Sequence, residues 1–161
     1  MNAEDVFRYG HCEVMRAVEG LPEGDWERPG VCGTWSAREV IAHLASYELA
    51  TGDAFASVLG EGPTPTLDAS LADMATFNDS QVELRRNQRA AETLAEYVAA
   101  HERASALLAR IPRDLRRQPG LMAWYGAEYD LEDLITYMSY GHKREHCAQI
   151  AVARSRVMGD G

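Results

Sequence analysis

Apolar residues recur at three- and four-residue spacing over most of the chain, and no stretch alternates strictly, so the pattern predicts helices and no convincing strands. Ala3 to Glu19 forms a first helix with Val6, Phe7, Val14, Met15 and Val18 on one side. His11 lies on or beside that side, as a hydrogen-bonded core or boundary histidine or as an inward residue supporting a ligand, and is left out of the ligand set. Gly20 to Gly33, with Pro22, Pro29 and several glycines, reads as a connector anchored by Trp26. Ser36 and Glu39 have capping-box spacing and open a second helix, whose stripe is Val40, Leu44, Tyr47, Thr51, Phe55 and Val58. His43 falls at the edge of that stripe. The run GEGPTPTLD after Leu59 ends the helix in an exposed loop.

From Leu67 to Ile111 the chain lacks Pro and Gly and predicts one long third helix, with a break or kink in the FNDSQ stretch around Asn78 and an end at Pro112. Its charges lie away from Leu84, Leu94, Val98, Leu107 and Leu108, and His101, between Ala100 and Glu102, reads as surface. Arg113 to Tyr129 is a loop with Trp124 and Tyr125, long enough to cover one end of a bundle and to wall a pocket. Asp130 to Val157 predicts a single final helix. At about 100° per residue, Leu131, Leu134, Ile135, Met138, His142, Glu145, His146, Gln149 and Ala153 share one arc, while Asp133, Tyr140, Lys143, Arg144 and Arg154 lie opposite. Four helical segments with long connections give an all-α four-helix bundle, expected as a single domain over residues 1–161.

The formal net charge of −9 argues against binding of nucleic-acid phosphates, which calls for clustered Lys and Arg. The N-terminus has acidic residues early and no apolar run, and nothing approaches 18 consecutive apolar residues, so neither a signal peptide nor a membrane span is expected. A cytoplasmic location follows as the expectation. Cys12, Cys32 and Cys147 are odd in number and lack C-x-x-C spacing, which suggests neither a disulfide framework nor a thiolate zinc site. Each reads as a small, half-buried apolar residue.

The chemistry concentrates in the final helix. His142 and His146 are one turn apart, so their imidazoles project from one face, and that face is otherwise apolar. Buried polar groups need partners; a metal is one, although two inward histidines also simply hydrogen-bond to each other. His43 supplies a third imidazole from a facing helix, and three neutral imidazoles leave at least one coordination position open. Proton competition should weaken such a site as pH falls through roughly 6. Cys147 lies about 100° round the helix from His146 and is not expected to ligate. Gln149, one turn beyond Glu145, orients a ligand imidazole or ties two helices together.

The segments GTWSAREVIAHLASYE and GHKREHCAQI resemble the two signatures of the DinB-like four-helix bundles: the G-W-S-x-[RK]-[DE] entry into a helix with a metal-binding histidine, here His43, and H-x-x-x-H-x-x-Q-I, here His142, His146, Gln149 and Ile150. Their order and separation agree, and helix order agrees over nearly the whole chain. The resemblance implies a three-histidine divalent site filled by zinc or nickel, in relatives that use low-molecular-weight thiols such as mycothiol or bacillithiol or that are proposed hydrolases. The mycothiol-dependent isomerase branch has Glu where this chain has His142, and the sequence departs from it there. The expected activity is thiol S-transfer to small electrophilic substrates. Hydrolysis by metal hydroxide, with Glu145 as proton shuttle or else as a salt-bridge partner of a neighbouring helix, is the alternative. A non-catalytic, metal-stabilised ligand-binding or stress-response bundle is the third reading. Homodimerisation, common in lookalikes, is expected here without an exposed heptad seam to support it.

Overall fold

The structure, a computed structural model, describes residues 2–159, with side chains as far as residue 156. Helix α1 (Ala3–Val18) buries Phe7, Val14 and Val18 and carries Glu4 and Asp5 in its first turn and Arg16 in its last, as the helix dipole favours. The connector after it holds a short helix, α2 (Glu23–Trp26). Helix α3 (Ala37–Val58) starts at the expected capping box: Glu39 N donates to Ser36 Oγ at 3.3 Å, and Ser36 N donates to Glu39 Oε2 at 2.7 Å. Burial on α3 extends well beyond one stripe, because α3 is the central helix and other helices cover most of its circumference.

The long third helix of the sequence reading is in fact three: α4 (Pro65–Ala72), α5 (Met74–Leu84) and α6 (Ala90–Arg110). The breaks fall at Asp73 and at Arg85–Arg89, not at Asn78, which sits inside α5 and accepts a hydrogen bond from Tyr47 at 3.1 Å. Asp73 leaves the helical conformation so that its carboxylate accepts from Thr76 N at 3.2 Å and Thr76 Oγ1 at 2.6 Å. A short acidic side chain at a cap competes well with a continued backbone ladder. At the second break the buried Arg85 pairs with Glu96 at 2.7 Å, and its carbonyl accepts from Arg38 Nη1 at 3.2 Å. A further turn, α7 (Arg113–Arg116), places the buried Arg116 so that it donates to the carbonyls of Leu108 and Ile111, partners for the C-terminal end of α6.

The final rod is continuous but not uniform. Helix α8 (Leu131–Asp133) is capped reciprocally by Asp130 and Asp133, a π-helical segment covers Leu134–Gly141, and α9 runs over His142–Gly159. In a π-helix the bonds run i→i+5, and each residue turns the chain through a smaller angle than in an α-helix. The faces before and after the segment are therefore out of phase, which corrects the single arc drawn from the sequence. Lys143, placed opposite the histidines by that count, is buried, whereas Met138 and Glu145, placed with them, are exposed.

The bundle packs α3 against α6, and α1 against both α9 and the π-helical segment. One apolar cluster gathers Phe7, Phe55, Leu108, Leu131 and Ile135; another gathers Val14, Ile41, Leu44, Tyr97 and Ile150. Between them runs a polar layer from all four long elements: His11, Glu48, His101 and Lys143. Gly10 lets α1 approach this layer, because a Cβ there would stand 3.2 Å from Lys143 Cδ and 3.3 Å from Tyr140 Cδ2. Among the described residues, no helix is long and apolar enough to cross a membrane.

Candidate metal centre

Helices α3 and α9 bring His43, His142 and His146 together. His142 Nε2 lies 2.8 Å from His43 Nε2 and 3.0 Å from His146 Nε2, and one nitrogen from each ring falls within 4.8 Å of the others. His43 and His146 are buried and His142 half-buried, with the Tyr47 ring 4.8 Å from His43 and 4.6 Å from His142 and the Trp35 ring 5.1 Å from His43. Gln149 Oε1 is 2.8 Å from His146 Nδ1. Because that oxygen only accepts, Nδ1 carries the proton and Nε2 of the neutral ring turns a lone pair toward the cluster.

The donor set fits a metal. A neutral imidazole nitrogen carries either one proton or one lone pair, so His142 Nε2 cannot make two well-formed hydrogen bonds to two other ring nitrogens. A cation at the point of convergence satisfies all three lone pairs at once. Burial first, and the neighbouring histidines second, push His43 down to about 3 and His142 to about 4; burial also lowers His146, against the opposing pull of Gln149 and Glu145. The rings are thus neutral, in their ligating form, at neutral pH. Protons compete for His43 and His142 in the folded protein nearer pH 3–4 than the pH of roughly 6 expected of unperturbed histidines.

The same shifts predict an acid sensitivity. In chelator-treated protein His11, His43 and His142 bind protons at about 6.5 when unfolded and near 3–4 when folded, so between these values the unfolded chain holds more protons. Stability should therefore be complete above about pH 6.5 and fall progressively as pH drops toward 4. Urea midpoints of the metal-free protein from pH 7.5 to 4.5 measure this; a flat profile would contradict the burial of these rings.

The other sequence candidates separate. Glu145 is exposed; it draws no ion-pair partner among the described residues and only biases His146 upward electrostatically. Cys12, Cys32 and Cys147 are free and half-buried, and burial pushes the Cys147 thiol up to about 11, an unreactive state.

His101 is a correction: it is buried, its Nδ1 lies 3.5 Å from Glu48 Oε2, and its ring stacks on His11 at 4.1 Å and on Phe7 at 4.7 Å. Its spacing from Leu94, Val98 and Leu108 is that of a core face, a stronger signal than the polar neighbours beside it. Glu48 was missed altogether. It falls on the apolar stripe four residues after Leu44 and seven before Phe55, and an acid in that position signals a buried partner. That partner is Lys143, whose ammonium pairs with Glu48 and lies 3.2 Å from Ser139 Oγ and 4.5 Å from the centre of the Phe7 ring.

Beside the histidines is a cavity of about 50 Å³. His142 lines it, together with Glu48 and Lys143, and Trp124 of the loop after α7 closes one side, as the loop's aromatic content suggested.

A helical bundle with a three-histidine cluster is a DinB-like architecture of the metal-site type. The sequence profile described as mycothiol maleylpyruvate isomerase N-terminal domain matches residues 7–136, and the chain belongs to that family. The matched residues include His43, while His142 and His146 lie beyond them. No curated protein and no solved structure matches the chain.

Proposed function

We propose that the protein is a metal-dependent enzyme that transfers a low-molecular-weight thiol to small electrophiles, with one zinc or nickel ion held by His43, His142 and His146. The observation that carries this reading is the convergence of three neutral imidazole nitrogens from two helices. A divalent ion with an open position lowers the pKa of a bound thiol and supplies its anion at neutral pH. The remaining work falls to the chain. Gln149 holds the His146 ring in the tautomer that ligates, and Tyr47, itself held by Asn78, packs edge-on against His142 and fixes its plane. Burial keeps all three rings unprotonated without a carboxylate partner.

Thiol transfer is favoured over hydrolysis by two features. The family is named for a mycothiol-dependent reaction. Hydrolysis also gains from a poised acid or base at the leaving group, and the carboxylates at hand suit that poorly: Glu48 is tied to Lys143, and Glu145 is exposed.

The test is an assay of purified protein with zinc or nickel, a panel of low-molecular-weight thiols including mycothiol, and a chromogenic electrophile. Wild type and Cys147→Ser should both turn over and retain metal, and His146→Ala should lose both properties. Loss of metal from Cys147→Ser as complete as from His146→Ala would mean a closed His/Cys site and would sink the catalytic reading.

A further inference from the structure

We infer that Trp124 is the gate of this site: its indole must swing off the pocket beside His142 before a ligand reaches the histidine cluster, and its bulk limits what passes. The inference rests on the metal-site reading of the three histidines for where a ligand goes, and on the walls of the pocket for how it gets there. His142 is the member of the trio that borders the pocket, so a molecule lodged there lies against the cluster.

Size shows that a wall has to move. The cavity of about 50 Å³ is well below the roughly 150 Å³ that holds a benzene ring, so it takes a few waters and no molecule of substrate size. Among the described residues that line it, Trp124 alone comes from a loop, and it is 40 % exposed. The others stand on packed helices: those from Leu44 to Ala54 on α3, Leu67 on α4, Leu134, Met138 and Ser139 on the π-helical segment, and His142 and Lys143 on α9. Shifting any of these would disturb close-packed apolar clusters. The backbone around Trp124 is itself fixed. Met122 is buried, Tyr125 packs against the same apolar cluster, and Tyr125 N and Gly126 N both donate to the Met122 carbonyl, at 2.8 and 3.3 Å. The indole, whose ring neighbour is Tyr125 of its own loop at 5.9 Å, therefore turns about its side-chain bonds on a steady base, the fast motion open to an exposed side chain.

The test times entry without turnover. Cobalt(II) is loaded in place of zinc or nickel, and stopped-flow absorbance follows the cobalt spectrum as 2-mercaptoethanol, benzyl mercaptan or imidazole is added. Trp124→Ala should raise the association rate constant of benzyl mercaptan at least about 10-fold, and that of the slimmer 2-mercaptoethanol by less, with metal content unchanged. Trp124→Phe, a smaller cover of the same kind, should fall between. Leu121→Ala, which shortens an exposed side chain of the same loop outside the pocket, should leave the rates within about 2-fold of wild type. Association is the reading that separates a gate from an ordinary wall contact, because losing a contact to the bound molecule speeds its escape alone. Entry of benzyl mercaptan at the wild-type rate in both Trp124 variants, an equal effect of Leu121→Ala, or no spectral change with any of the three probes would each overturn the inference. Imidazole entry gated by Trp124, with no thiolate band from either thiol, would sink the thiol-transfer reading alone. A thiolate band that forms equally fast with and without the indole would sink this inference alone.

Discussion

His142→Ala is expected to purify without its metal, with affinity reduced by more than the about 10–100-fold that loss of an outer hydrogen-bond partner costs a metal site. His142 is the middle member of the cluster, with its Nε2 2.8 Å from one partner nitrogen and 3.0 Å from the other. Removing it leaves His43 and His146 on separate helices with no shared neighbour to hold an ion between them. Elemental analysis of protein purified without added metal, followed by competition with a chromophoric chelator, measures the effect. The far-ultraviolet spectrum should stay helical, because the apolar clusters on either side do not depend on the ring. Stoichiometric metal in His142→Ala at wild-type affinity would place the site elsewhere.

Lys143→Met should destabilise the fold by about 3–5 kcal/mol, the cost typical of stranding one partner of a buried ion pair. Burial alone would push the Glu48 carboxyl up, but Lys143 and His101 outweigh it and hold the group below the usual carboxylate range. Without Lys143 that balance reverses, and Glu48 must take up a proton or remain a buried, unpaired charge. For a chain of this length the loss corresponds to a fall in melting temperature of about 6–20 °C. Lys143→Met with Glu48→Gln should recover a large part of it, since a neutral pair of similar volume carries no charge to desolvate. A single variant within about 1 kcal/mol of wild type, by urea unfolding at pH 7, would show that the pair contributes little.

The parts of the molecule legible in the sequence were those that depend on local spacing. The Ser36–Glu39 box opens α3 where expected, and the four-residue interval between His142 and His146 survives because both lie in the regular α9, beyond the π-helical segment. What could not be read is what depends on phase carried across an irregularity. The count of about 100° per residue from Leu131 to Ala153 assumed one uniform helix; the slower winding over Leu134–Gly141 rotates the two ends relative to each other, which hid Lys143 and misplaced Glu145. The break at Asp73 was hidden for a related reason, since an aspartate in a helix-compatible run announces a cap only once its own backbone leaves the helix. His101 was hidden by its polar neighbours, although its register with Leu94, Val98 and Leu108 pointed inward.

The change of phase along the final rod also bears on which ions the centre accepts. A chain that must switch from filling a core to presenting two donors would ordinarily do so through a loop, and loops yield. Here the switch is made within continuous helix, and both α3 and α9 carry their imidazoles on regular, packed backbone. Donors mounted so stiffly do not spread to follow a large guest. Three rings so mounted would discriminate by ionic radius as well as by softness, favouring ions that sit about 2.0–2.1 Å from nitrogen over calcium, which prefers oxygen at about 2.3–2.6 Å.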